Sequence, residues 1–347
     1  MGVVAMSDFT VVRVDDPSRY RDGILSFWKN YLPGTPPERF DWLRSGNPAG
    51  PTVWFLAFDQ STGELAGTTS LVRRQLVAGG IAVHAGIMGD FMVAERYRAF
   101  GPYLKLLRET TGSLSSLGLD CIYTIPNPAS RMACLRVGME KVKDLCCFAK
   151  PLAVRFYLEK GMPGVVAAAM SPFVAASLRL ASRELLVSPR GVQEEPLQFD
   201  AAFDDLWRDM RKRACGLMGD RSTPYLTWRY VQNPLYRFRL LTCRERGASR
   251  IEGFVLFTQF EENKIEVYDI IGLDDRVIER LIAKLVVVAR REKCQALYFR
   301  AQPASHALCM FKRFRFFNTN DAFELYYVGR TGLPLDSWDF FSGDRNI

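Results

Sequence analysis

Trp42, Asn47, Pro48 and Gly67 recur as Trp228, Asn233, Pro234 and Gly253, each displaced by the same 186 positions. Four matches at one offset mark an internal duplication. This constrains the fold more than any single motif does, because two stretches of one chain must build the same unit. Further on, Asp90 in the run DFMV matches Asp269 in DIIG, and Pro128-Ala129-Ser130 matches Pro303-Ala304-Ser305, with the offset reduced to 175. Part of that shortening falls before the aspartate, where a hairpin is expected. The rest falls between the aspartate and the PAS triplet, where the first copy carries the turn RAFGPY from Arg98 to Tyr103. Two copies imply a duplicated domain, since a solenoid needs at least three units. A chain of 347 residues, 48% of them hydrophobic, has the length for two domains.

Each copy predicts the same order of elements. A helical stretch (Tyr20 to Tyr31; Phe203 to Ala214) leads into a tryptophan-bearing segment and then strands. In the first copy these are Val53 to Phe58, Gly67 to Arg74, Ile81 to Ala85 and Asp90 to Val93. A helix follows, with Tyr103, Leu106, Leu107, Thr110, Leu114 and Leu117 on one stripe; Ile278, Leu281, Ile282, Leu285 and Ala289 form its counterpart. In the second copy Asp274 and Asp275 open that helix, and Arg290, Arg291 and Lys293 close it, charges that suit the helix dipole. A strand (Cys121 to Ile125; Ala296 to Arg300) and a short helix complete each unit. The expected fold is α/β in the layered α+β sense, with an N-terminal domain over residues 1–150, a connector over 151–196 and a C-terminal domain over 197–347. Trp42 and Trp228 are expected to anchor the core of their own units.

The connector holds an uncharged run from Gly161 to Leu178. Its length touches that of a membrane span, but Pro163, Gly164, Pro172 and five alanines lower its hydrophobicity and break its helicity. The preferred expectation is a buried connector packed between the domains, and the second a surface helix dipping into a membrane. The net charge of +8 suits acidic partners such as coenzyme phosphates, an acyl carrier protein or an anionic membrane face, or serves solubility alone. Basic residues cluster only weakly, at Arg211 to Arg213 and Lys312 to Arg315, so nucleic acid is not expected as a partner. Eight cysteines show no CxxC pair and no regular framework, the pattern of reduced, packed thiols. With no signal-like basic and apolar start at the N-terminus, a cytoplasmic location is expected, peripheral at the inner membrane face if the apolar run docks there.

Chemistry concentrates between Gly89 and Leu107. A helix N-terminus offers unpaired NH groups and the positive end of the dipole, so an anion can sit there if the preceding turn lets backbone approach closely. Gly101 permits such a turn and Arg98 adds a counter-charge. Pro102 fits the first helical position, where its missing NH would be an orphan anyway. Two histidines, His84 and His306, are too few for a histidine-rich metal site, and no metal is expected.

On these residues the chain resembles the GNAT acyltransferase superfamily. Val93 closes an apolar strand, Arg98-Ala99-Phe100-Gly101-Pro102-Tyr103 stands in the place of its Arg/Gln-x-x-Gly-x-Gly/Ala loop, Asn127 follows the later strand, and Gly138-Met139 replaces the usual Gly-Phe. The resemblance covers about Asp8 to Lys150 and more faintly Leu197 to Tyr327, and looks most like tandem GNAT proteins of bacterial surface-polysaccharide synthesis. It implies two tandem GNAT-like domains, each a twisted mixed sheet flanked by helices. It also implies acetyl-CoA or another acyl-CoA as donor, its pyrophosphate on the NH groups of Arg98 to Tyr103 and its pantetheine paired with Met92 and Val93. The acceptor would be an amine, such as an amino sugar or amino acid.

Two departures stand out. Tyr103 replaces a small residue, so its side chain must point away from the phosphates. Cys134 stands where relatives carry a tyrosine that protonates the departing thiolate. Asp90 is the candidate base for the acceptor ammonium, although its survival as Asp269 in the copy without the loop equally suits a structural role. Alternatives are an acyl-carrier-protein-dependent transferase, an aminoacyl-tRNA-dependent relative and a non-catalytic tandem adaptor.

Overall fold

The computed structural model describes residues 8–98, 101–142, 144–213, 216–245, 250–261 and 263–346. The first half runs β1 (Phe9–Val14), α1 (Arg21–Tyr31), α2 (Glu38–Arg44), β2 (Val53–Asp59), β3 (Leu65–Ala78), β4 (Ile81–Val93), α3 (Pro102–Gly112), β5 (Cys121–Thr124), α4 (Arg131–Arg136), β6 (Glu140–Lys141) and β7 (Leu145–Pro151). Two connector helices follow, α5 (Val154–Leu158) and α6 (Gly164–Leu180). The second half runs β8 (Val192–Glu195), α7 (Ala201–Arg213), β9 (Leu217–Gly219), α8 (Thr223–Leu226), β10 (Phe238–Arg244), β11 (Ile251–Phe260), β12 (Lys264–Gly272), α9 (Asp275–Arg291), β13 (Ala296–Ala301), α10 (His306–Arg313), β14 (Phe317–Phe323), β15 (Tyr326–Gly329) and β16 (Trp338–Asp339).

Both halves build one mixed sheet on one plan. Strands β1 to β4 run antiparallel and β5 joins β4 in parallel; β8 with β10 to β12, and then β13, repeat the pattern. The repeated glycine has a packing cause. A β-carbon on Gly67 would meet the Met92 carbonyl and the Leu106 side chain at 2.9 Å, and one on Gly253 the Ile271 carbonyl and Val277 at 2.6 Å. Only glycine lets α3 and α9 lie this close to their sheets. The expected shortening of the second hairpin is present: β3 and β4 run 14 and 13 residues, β11 and β12 only 10 and 9. The extra length of β3 pairs with β9.

The strands do not respect the boundary expected at residue 150. β7, from the first half, lies between β13 and β14, whereas β15, from the second half, lies between β5 and β6. Each half thus gives one strand to the other's sheet, and the hydrogen-bond ladders lock the halves together. Trp42 and Trp228 also act differently from the expectation. They are not anchors of separate cores but stack on each other, ring centroids 4.8 Å apart and planes 15° apart. Each indole NH donates to the other's backbone carbonyl, at 2.8 and 3.1 Å. The recurring Asn-Pro pairs make equivalent turns: Asn47 Oδ1 accepts from the Ala49 NH and Asn233 Oδ1 from the Leu235 NH.

The connector is corrected too. Of the residues in α6 only Ala167 is buried, so the apolar run is a surface helix and not a buried link between domains. Among the described residues no helix is long and apolar enough to cross a membrane. The described cysteines form no disulfide; Cys121, Cys134, Cys147, Cys243 and Cys294 are buried and Cys309 is exposed. Cys215 lies outside the described residues.

Candidate active site

Ile81 to Ala85 and Asp90 to Val93, expected as two strands, form one strand with a bulge. Asp90 sits at φ +50°, and the pairing of β4 with β3 shifts between Thr68 and Ser70. On its other edge β4 pairs with β5 only from Ala85 to Ile87. Beyond Ile87 the two strands part, and a cavity of about 710 Å³ opens where Met88 to Met92 face Tyr123 to Asn127. Tyr103 and Cys134 close one side, while Leu235 and Phe323 from the second half and Phe340, Arg345 and Asn346 from the chain end close another. Asn346 lies against Gly89, where any β-carbon would collide with it.

Asp90 is the one carboxylate on the cavity wall among the described residues, beside Arg39, Arg131 and Arg345. It is buried and both its oxygens are engaged: Arg39 lies 2.8 Å from Oδ1, and the Ser70 hydroxyl donates to Oδ2 at 2.7 Å. The Thr69 hydroxyl holds the Gly89 carbonyl at 3.0 Å, so side chains of β3 fasten the bulge. Asp269, its duplicate, is held in the same manner by Arg221 at 3.0 Å and the Tyr230 hydroxyl at 3.2 Å.

Of the described residues between Arg98 and Tyr103, Tyr103 lines the cavity, and Arg98, Gly101 and Pro102 are not among its lining. Gly101 has φ +92° at the position before α3, a conformation that favours glycine, and its surroundings are open. Pro102 is the first helical residue, as expected. Arg98 is exposed, with its guanidinium 5.7 Å from the Tyr31 ring centre. Ala99 and Phe100, the remaining loop residues expected to hold phosphate, lie outside the described residues. The backbone of Met92 and Val93 lies on the stretch of β4 that β5 leaves unpaired. Tyr103 turns into the cavity wall, its ring 4.3 Å from that of Phe91.

Tyr103, Asn127 and Cys134 come together, although the sequence spreads them over 32 positions. Tyr103 lines the cavity beside Ser130 and Cys134, and burial raises the pKa of its phenol. The Ser130 hydroxyl donates to Asn127 Oδ1 at 2.8 Å, and Asn127 also caps the turn over Pro128–Ser130 by accepting from the Ser130 NH at 3.0 Å. Cys134 is 2% exposed, and burial pushes its thiol up to about 11. His84 is exposed on β4, and His306 pairs with Asp275 on α9; neither lines the cavity.

Among the described residues of the second half, the place that corresponds to this opening is closed in two ways. Only Leu273 and Asp274 separate β12 from α9, so the loop has been cut back to a helix cap in which Asp274 accepts from the Val277 NH at 2.9 Å. The parting of β12 and β13, which pair only from Lys264 to Val267, is filled by the chain end. Phe341 bridges to Ala301 and packs on Phe299, the Ser342 hydroxyl donates to Glu266 at 2.6 Å, and Gly343 lies by the Tyr268 carbonyl. Asp344 then sits between Arg74 at 2.6 Å and Arg221 at 2.9 Å, all three fully buried. The positions of this tail, and of Arg39 fifty-one residues before Asp90, carry no pattern from which sequence reasoning could have placed them.

No protein-family model matches the chain, and no curated protein matches it in sequence. Solved structures do match. A GCN5-related N-acetyltransferase from Anabaena variabilis superposes with a TM-score of 0.66 at 11% identity, over 92% of this chain and 72% of that one. A second, from Kribbella flavida, gives 0.62 at 13% identity over 94% and 72%. The N-myristoyltransferase of Saccharomyces cerevisiae, solved with bound myristoyl-CoA, gives 0.61 at 11% identity over 96% and 85%. The chain has the GNAT fold, as two GNAT-like units joined by exchanged strands.

Proposed function

We propose that the protein is an N-acyltransferase that takes an acyl group from acyl-CoA and passes it to an amine, with donor and acceptor meeting in the cavity of the first half. The observation that carries this reading is the parting of β4 and β5 beside a loop that ends in Gly101 and Pro102, found in one half and deleted or filled in the other. In this reading the loop and the start of α3 take the pyrophosphate, with Arg98 as counter-charge. The free edge of β4 at Met92 and Val93 takes the pantetheine amides as an added strand would. The fold neighbours named above include a transferase with an acyl-CoA bound, which supports the donor class.

Acyl transfer from a thioester releases a thiolate that must be protonated. Tyr103 is the better candidate than Cys134, because its side chain is only partly buried on the cavity wall whereas Cys134 is 2% exposed. Asp90 serves in this reading to hold the bulge, since both its oxygens are already engaged. The acceptor is an amine of unspecified class; an amino sugar or amino acid fits the resemblance.

The test is thermal protection by acetyl-CoA and by longer acyl-CoAs. Arg98→Glu and Gly101→Glu should abolish it, and Arg276→Glu, a charge reversal at the start of α9, should not. Tyr103→Phe should keep protection yet lower turnover by about 10²-fold or more. A wild-type protein that no acyl-CoA protects sinks the proposal.

A further inference from the structure

The α5–α6 hairpin carries an apolar surface that the proposed reaction does not use. Val166, Met170, Phe173 and Leu180 fall three to seven positions apart on one helical stripe, and all face solvent. Phe173 is 76% exposed, Leu180 77%, and Val165 beside the stripe 85%. Leu185 and Leu186 extend the exposed apolar surface past the helix end, and Phe156 extends it onto α5. Single exposed apolar residues are ordinary, but a continuous patch of this kind marks a binding surface.

Charge identifies the occupant. Between residues 155 and 190 stand Arg155, Lys160, Arg179, Arg183 and Arg190, against only Glu159 and Glu184. Glu184 is turned inward and meets Lys150, Arg290 and Arg179, while Arg155 pairs with Glu159 and Arg183 with Glu279, so the hairpin keeps a net positive charge with its arginines partly exposed at the rim. Lys160 lies over the rings of Phe156 and Tyr157, its stem on apolar surface and its ammonium at the rim. Arg315 joins at the other end of the helix, donating to the Ala181 carbonyl at 2.8 Å. The apolar stripe is thus bounded by cations at both ends, and α6 itself holds no charge before Arg179.

We infer that the α5–α6 hairpin lies in the headgroup region of an anionic membrane, with the stripe from Val166 to Leu180 among the acyl chains and the flanking cations against lipid phosphates. A helix of this length spans about 25 Å and its stripe covers on the order of 250 Å², well short of the roughly 800 Å² per side of an ordinary protein interface. A lipid surface sets no such minimum, and cations near it add to apolar insertion. At 17 residues α6 lies on the bilayer and does not cross it.

The inference is independent of the acyl-transfer reading and is tested without activity. The full-length protein is sedimented with vesicles of phosphatidylcholine alone and with vesicles that also contain phosphatidylglycerol. Binding to the second at least about tenfold tighter than to the first, and weakened by salt, is expected. Phe173→Glu and Val165→Glu, both at exposed positions, should each lower binding by about tenfold or more at an unchanged melting temperature. Lys160→Glu should weaken it less. Absence of vesicle binding overturns the inference, as does equal binding by the glutamate variants. A concentration-dependent dimer that Phe173→Glu splits would show that a second copy covers the face, and overturns it too.

Discussion

The buried carboxylate of Asp344 fixes the chain end, and Asp344→Asn isolates its charge from its shape. In the wild type it lies between Arg74 and Arg221, and its backbone carbonyl accepts from the Tyr123 hydroxyl at 2.9 Å. Removing one member of a buried ionic cluster leaves the others uncompensated, a loss of about 3–5 kcal/mol. Relief of the neighbouring Asp269, whose pKa burial raises against the pull of Arg221, trims that loss. For unfolding entropy typical of a chain of this size, the melting temperature should fall by about 4–7 °C at neutral pH. The pH dependence gives a second check. Burial pushes the Asp344 carboxyl up, but Arg221 and Arg74 outweigh it, so the folded-state pKa lies below the ordinary value. Stabilisation of that sign is complete above the unfolded pKa of about 4 and is lost as pH falls through the folded one. The gap between wild type and variant should therefore be widest at neutral pH and close under acid, measured by thermal unfolding across a pH series. A variant melting within a degree of wild type at pH 7, or a gap that widens in acid, refutes the assignment of this cluster as the clamp on the tail.

Trp42→Ala and Trp228→Ala should each cost about 3–5 kcal/mol, as expected for buried tryptophans. Because the two rings contact each other, a double-mutant cycle should return a coupling of about 0.5–1.5 kcal/mol, and strict additivity would contradict the stacked geometry. Asp90→Asn separates positioning from proton transfer. If Asp90 holds the bulge, the variant loses stability by weakening the ion pair with buried Arg39 while its residual activity keeps the wild-type pH profile. If Asp90 is the base, the acidic limb of kcat/KM disappears instead.

Features set by local chemistry were legible. The acidic start of α9 at Asp274 and Asp275, the shortened second hairpin, the loop cut back ahead of α9, and Pro102 at the first helical position all follow from residue types and spacing alone. Features set by long-range partners were not. β7 (LCCFAKP) and β15 (YYVG) are short, mostly apolar runs that either sheet could receive, so the exchange leaves no mark on the sequence. The surface position of α6 was hidden because alanine, valine and methionine compose buried and exposed apolar helices alike. The tandem tryptophans were visible as a repeat, but a repeat reports that two positions are equivalent and not that they touch.

The two copies treat the parting of their parallel strands differently. Where a parallel pair of strands parts, each leaves a row of backbone groups that need partners, and an uncovered row is costly unless water, ligand or chain supplies them. The first half leaves that row open to the cavity between Met88 and Val93. The second half covers it with Phe341 to Asp344, and the same segment carries Arg345 and Asn346 onward to the wall of the first cavity. Filling one opening and shaping the other are thus two parts of one path of the chain. With the tail in the parting of β12 and β13, only Leu273 and Asp274 join β12 to α9. Asp269 has a structural tie there: it is held by Arg221, which is also held by Asp344, so it belongs to the clamp on the tail.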